Sequence, residues 1–269
     1  MAIINKPSDY FNSVLYTGDG GTNNITGVGF QPDWTWIKSR SNTKDNALFD
    51  SVRGVTKRLI TNTDTLEATV ATSLTAFGSD GFSLGADTTQ NANGNTFVAW
   101  NWKAGTSVSG TTGGSGTSKA YSGSVNTDSG FSIITYVANG TAGHTIPHHL
   151  GAAPSMVICK SRSENRGFPI QHVGLTSAAY SLYLSGTLAQ TSGTNSWNST
   201  AASSSVVTLG NDANNNKDGD SYIMYSFAEK NSFSKFGSYT GNGNADGTFV
   251  YTGFKPAFVF VKRTNGTEN

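Results

Sequence analysis

The sequence predicts an all-β protein built from tandem small antiparallel β-sandwich modules of jelly-roll-like character. Three observations predict it. Short runs rich in β-branched and aromatic residues recur along the chain, as in Ser132–Val137, Asn95–Trp102 and Ser221–Ala228. Turn pairs separate them, namely Asp80-Gly81, Asn93-Gly94 and Asp218-Gly219. One strand-like string also occurs three times, as FQPDWTWIKSRS from Phe30, GAAPSMVICKSRS from Gly151 and FKPAFVFVKRTN from Phe254.

The repeat sets the boundaries. Tyr16, Tyr136 and Tyr239 each open a YTGDG-like turn ahead of the shared strand, in which Pro32, Pro154 and Pro256 correspond, as do Lys38, Lys160 and Lys262. Gly81–Trp102 pairs with Val206–Phe227 at an offset of 125. Residues 1–10 then read as an N-terminal attachment segment, 11–104 as module 1 and 131–229 as module 2. Residues 105–130 open on Gly, Ser and Thr without apolar periodicity and read as a flexible linker. Residues 236–269 read as the start of an incomplete third module, with the rest of that module expected from a longer chain or a partner. The best helical stretch, Phe49–Thr61, is a poor one, because it holds Gly54 and several β-branched residues.

The repeated strand is apolar on both faces. Trp34 and Trp36 share one face, with Met156 and Ile158 at the same positions in the second copy and Phe258 and Phe260 in the third. Thr35 and Ile37, Val157 and Cys159, and Val259 and Val261 form the opposite face. A strand apolar on both sides is buried on both sides. One face fills a sandwich core, and the other needs a loop, a neighbouring module or another chain. These six side chains are therefore the candidates for an interface.

Bulk properties narrow the function classes. Net charge is +1 and 13% of residues are charged, which provides no basic patch for nucleic acid. No apolar stretch is long enough for membrane insertion through a helix, and the N-terminus lacks a secretory pattern, so synthesis in a cytoplasm is expected. The single Cys159 excludes an internal disulfide framework.

Catalytic and ligand motifs are weak. Asp212, Asp218 and Asp220 lie in NDANNNKDGD, which alternates oxygen-bearing side chains as a calcium loop does. The EF-hand pattern fails at its last ligand, and a polar hairpin loop is the favoured reading. His144, His148 and His149 cluster without a zinc motif and read as loop histidines or as part of a subunit interface. Carboxylates are sparse and sit mostly in turns, which argues against glycoside hydrolysis. Asp50 and Arg53 read as an ion pair holding a turn. No nucleophile-elbow, P-loop or dinucleotide fingerprint occurs. No enzymatic activity and no cofactor are expected. Of five tryptophans, Trp100 and Trp102 belong to a repeating apolar face, while Trp197 lies in a polar loop and is the candidate for contact with a ligand or partner.

The strings NKPSDYFNSVLYTGDGGTNNITGVGFQPDWTWIKSRS, LFDSVRG, SLTAFGSDGFSLG and NGNTFVAWNWKAG together resemble the repeat module of unknown function found in tail-fibre-like proteins of marine bacteriophages and cyanophages. Module 2 resembles it more loosely, with PIQHVG in place of FDSVRG. The resemblance implies an elongated virion appendage, often trimeric, of which this chain is the virion-proximal part. Expected partners are copies of itself as a homotrimer, other phage tail or virion proteins, and a host-surface glycan at the far tip. The alternatives are a capsid decoration or head-fibre protein and a lectin-like glycan-binding module.

Overall fold

The computed structural model describes residues 3–193 and 195–267 and is almost entirely β. The N-terminal segment is described from Ile3 and holds one 3-10 turn, Pro7–Asp9. In module 1, the strands are β1 (Phe11–Thr17), β2 (Asn23–Ile25), β3 (Trp34–Ser39), β4 (Ala47–Asp50), β5 (Lys57–Ile60), β6 (Ala68–Thr69), β7 (Leu74–Gly78), β8 (Gly81–Leu84) and β9 (Thr96–Trp102). They form a six-stranded sheet ordered β1-β9-β3-β4-β5-β6 and a three-stranded sheet ordered β2-β8-β7. All pairings are antiparallel. The core between the two sheets contains Ile25, Ile37, Phe49, Phe82, Leu84 and Phe97.

Module 2 repeats this plan. β13 (Phe131–Val137), β14 (His144–Pro147), β15 (Met156–Ser161), β16 (Pro169–His172), β17 (Leu182–Tyr183), β18 (Val206–Leu209) and β19 (Ser221–Phe227) take the places of β1, β2, β3, β4, β5, β8 and β9. Ile134, Tyr136, Val157, Cys159, Tyr222 and Met224 are among the residues filling its core. The fold class therefore stands as read from sequence, as antiparallel β-sandwich modules.

Three local expectations change. Residues 105–130 carry strands where a flexible linker was expected: β10 (Thr106–Thr111), β11 (Gly113–Gly114) and β12 (Ala120–Asn126). β12 pairs with β13 along its length, β10 pairs with β12, and β11 joins β14. β10 is the edge of this sheet and mostly exposed, where backbone pairing matters more than a patterned side-chain face, so a Gly/Ser/Thr sequence serves there, while β12 beside it supplies Tyr121 and Val125 for burial. Phe49–Thr61 forms no helix. It ends β4, turns at Ser51–Thr56 and enters β5. Among the described residues, α-helix occurs instead as two single turns, α1 (Thr88–Asn91) and α2 (Ala213–Asn216), at matching places in the two modules. Finally, residues 236–267, expected to open a third module, contain no assigned strand.

The α1 and α2 turns explain the loop that resembled a calcium site. Asp87 and Asp212 are their N-caps, each accepting from the backbone N–H two residues on at 2.9 Å. The last residue of each turn is a fully buried asparagine. Asn91 donates to Gly21 O and Gly85 O, and Asn216 donates to Thr141 O and Gly210 O. This pair of amides ties the turn to the rest of each sandwich and accounts for the polar spacing that repeats at offset 125.

Candidate assembly site: an aromatic seam between the modules

The two large sheets face each other. Trp34, Leu48, Leu59 and Trp102 of module 1 form one buried cluster with Phe131, Ile133, Ile158, Ile170, Ile223, Tyr225 and Phe227 of module 2. Register places the interface residues there. In β3, Trp34 and Trp36 stand opposite Trp102 and Trp100 of β9, and in β15, Met156 and Ile158 stand opposite Phe227 and Tyr225 of β19. Period-2 alternation then sends all of these to the face away from the sandwich core. Trp34 meets Trp102 at 4.5 Å between ring centroids and Tyr225 at 5.8 Å, both edge-to-face. Each aromatic pair of this kind adds about 0.5–1.5 kcal/mol beyond area burial. The neighbouring module is thus the main cover for the second apolar face of the repeated strand.

The third copy comes to the same place. Phe258 lies 5.4 Å from the rings of Trp100 and Trp102 and 6.0 Å from Phe11, and Phe260 lies 6.2 Å from Trp36. All six interface candidates therefore meet at this seam, Trp34 and Ile158 buried, Trp36, Met156 and Phe258 half-buried, and Phe260 41% exposed. A cavity of 1590 Å³ opens between the seam and residues 232–265.

Beside the aromatic residues, a buried ionic cluster crosses between the modules. Arg53 Nε donates to Asp50 Oδ2 at 2.5 Å, and Arg53 Nη1 to Glu67 Oε2 at 3.2 Å. From module 2, Tyr225 donates its hydroxyl to Asp50 Oδ2 at 2.6 Å, and Arg162 binds both oxygens of Glu67 at 2.9 and 3.0 Å. Burial works against the Arg53 charge, but the anionic oxygens of Asp50 and Glu67 outweigh it and raise its pKa. Burial also pushes the Tyr225 hydroxyl well above its ordinary value. Glu67 is desolvated as well, yet Arg162 and Arg53 hold its carboxyl below the usual range. The sequence showed the Asp50–Arg53 turn pair. Glu67, Arg162 and Tyr225 lack any local signal, because they join it only through tertiary contact.

The repeated lysine has a constant role. Lys38 Nζ donates to Lys44 O at 2.7 Å and Lys160 Nζ donates to Arg166 O, each six residues on. Lys160 also donates to Asp64 O of module 1 at 2.9 Å and sits 4.8 Å from the centre of the Phe168 ring. Its full burial lowers its pKa to about 8. Lys262 donates to Gly186 O at 2.5 Å.

Other sequence-derived candidates disperse. Trp197 was expected to be exposed in a polar loop. It is 0% exposed and part of the module 2 core, so it offers no face to a ligand. Thr194, in the same loop, lies outside the described residues. Asp212 caps α2 and accepts from Ser196, Asp218 pairs with Lys119 at 3.3 Å, and Asp220 lies 3.7 Å from Lys217. Among the described residues, no group of three or more His, Cys, Asp or Glu is placed to hold a metal ion. The histidines take separate partners: His144 binds Asn216 and Thr112, His148 contacts Ser203 O, and His149 contacts the Tyr121 hydroxyl.

Fold and seam define a class: an all-β chain of tandem sandwich modules that associate through the outer faces of their large sheets. A family model confirms a common unit of this extent. The chain belongs to the family described as a domain of unknown function (DUF7483), which matches residues 6–269 and so takes in both modules and the third copy of the strand. Comparison with curated proteins and with solved structures finds no match.

Proposed function

We propose that this chain is a structural protein of a phage virion, a tail fibre or tail-attached appendage whose modules space and present a receptor-binding tip. The observation that carries the reading is the common use of one strand face. In the two modules the side chains of this strand that point away from the sandwich core meet at one aromatic seam, and Phe258 and Phe260 of the third copy lie against the same seam. Such a chain gains its burial from module-to-module packing, the physics of an elongated repeat assembly rather than of a reaction centre. The sequence resemblance to tail-fibre-like repeat modules supplies the biological setting. The reading includes a homotrimer in contact with other tail or virion proteins, assembled after synthesis in the host cytoplasm, with no catalytic role. Size-exclusion chromatography with light scattering tests the stoichiometry, and a density map of virions labelled on this chain tests the location. Absence of the label from the particle would refute the reading, and a label on the capsid would replace it with a head-fibre role.

A further inference from the structure

The chain holds four Asn-Gly pairs, at Asn93, Asn139, Asn242 and Asn265. In this dipeptide the backbone nitrogen of the second residue readily attacks the side-chain amide of the first, because glycine has no side chain to hinder the approach. Structure decides which pairs are able to react. At Asn93 the nucleophile is occupied: Gly94 N donates to Gly18 O at 2.9 Å. At Asn139 the amide is locked: the residue is 8% exposed, and its Nδ2 donates to Ser115 O and Thr117 O, both at 3.0 Å. Neither restraint acts at Asn242. Asn242 and Gly243 are exposed, in the segment without strands, and among the described residues Gly243 N donates to no backbone carbonyl. Asn242 Nδ2 donates to Asp246 O at 2.9 Å, within the same exposed stretch.

The repeat adds a second observation. Asp19, Asn139 and Asn242 hold the same place in YTGDG, YVANG and YTGNG. In each, the side-chain Oδ1 accepts from the N–H two residues on, at 2.8, 3.0 and 3.0 Å. The third copy therefore keeps the turn although it lacks the strands. At Asn242 that N–H donates to the oxygen on which charge develops when the amide carbon is attacked. A carboxylate suits the place as well, since module 1 has one.

We propose that Asn242 is a modification site, at which the chain deamidates itself through a cyclic imide. Gly243 N bonds to Asn242 Cγ, and Nδ2 leaves as ammonia with the proton that Gly243 N gives up. Water then opens the ring at either carbonyl and leaves a carboxylate, on aspartate or on isoaspartate. No oxidant or cofactor takes part. The aspartate product converts YTGNG into YTGDG, the string of module 1, and lowers the net charge of +1 by one. Asn265, also exposed, lies outside the repeated turn. The site does not depend on the virion reading.

The test is a time course on the full chain in mildly alkaline buffer, read by peptide mapping with mass spectrometry. The same chain in urea is the reference, since unfolding removes the local structure that separates the pairs. In urea, Asn93, Asn139 and Asn242 are expected to convert at similar rates. In the folded chain, Asn242 is expected to convert at least about tenfold faster than Asn93 and Asn139, which must first open locally. Both aspartate and isoaspartate are expected at position 242. Asn242 left intact while the unfolded chain converts, or a folded-state ratio below about tenfold, would overturn the proposal, whatever Asn265 does. A difference that persists in urea would trace to sequence context and overturn it too, and aspartate alone would exclude the cyclic imide.

Discussion

Modules 1 and 2 share a strand plan but fill it differently, and the differences lie where each meets something else. The strand β4 of module 1 places Phe49 in the core opposite Thr35, whereas β16 of module 2 has Gln171 at that place, opposite Val157. Gln171 binds Thr200 O and Ala202 N, which holds a loop whose Trp197 enters the core. A large aromatic thus reaches the interior of module 2 from a different part of the chain. The next position differs as well. Asp50 is buried under Tyr225, while its counterpart His172 is half-buried and lies 6.0 Å from Phe236. Register therefore sets Phe49-Asp50 against Gln171-His172, two residues later than the sequence match of FDSVRG to PIQHVG suggested. The third contrast is at the sheet edge: β13 is covered by β12, while β1 ends its sheet.

The strongest way to break this comparison is at Trp197. Trp197→Ala is expected to destabilise the protein by about 3–5 kcal/mol, as for a fully buried aromatic, with urea unfolding as the measurement. A change under about 1 kcal/mol would mean that the loop is not part of the core. Arg53→Met tests the ionic cluster from the other module. It leaves Asp50 buried beside Tyr225 without a cation, and a loss of about 3–5 kcal/mol is expected in the same assay. A neutral result would show that the two modules meet without needing the pair.

Lys160 sharpens the comparison through pH. Burial depresses the folded-state pKa of Lys160 to about 8, below its unfolded value. The unfolded state therefore holds more protons between these values, and stability rises with pH across that window. Unfolding free energy measured from pH 8 to 10 is expected to rise relative to Lys160→Met, in which the group is absent. Parallel curves for the two proteins would sink the assignment. The smallest effect is expected at the open edge. Leu15→Lys, at a side chain 65% exposed, should shift stability by less than about 0.5 kcal/mol. Thr135→Lys at the corresponding position of β13 should cost more, since Thr135 donates to Tyr222 O and accepts from Arg162.

Much of the fold was legible because period-2 alternation and turn dipeptides are local signals. The repeat announced the strands the two modules share, and apolarity on both faces of Trp34–Lys38 announced a second buried surface. Trp197 misled because a polar neighbourhood in sequence says nothing about what a loop folds over. Residues 105–130 misled because β10 and β12 are held mainly by backbone pairing, β12 on both sides, which leaves little trace in side-chain pattern.

The sequence by itself determined the strand class, the duplicated plan and the identity of the six residues that needed a cover, since burial preference and alternation reside in each short segment. Only the tertiary structure decided that the neighbouring module is the main cover, that Tyr225, Glu67 and Arg162 close on Asp50 and Arg53, and that Trp197 is interior. Those outcomes depend on which distant surfaces meet, and contact between residues 175 positions apart, as for Asp50 and Tyr225, is set by packing rather than by any local propensity.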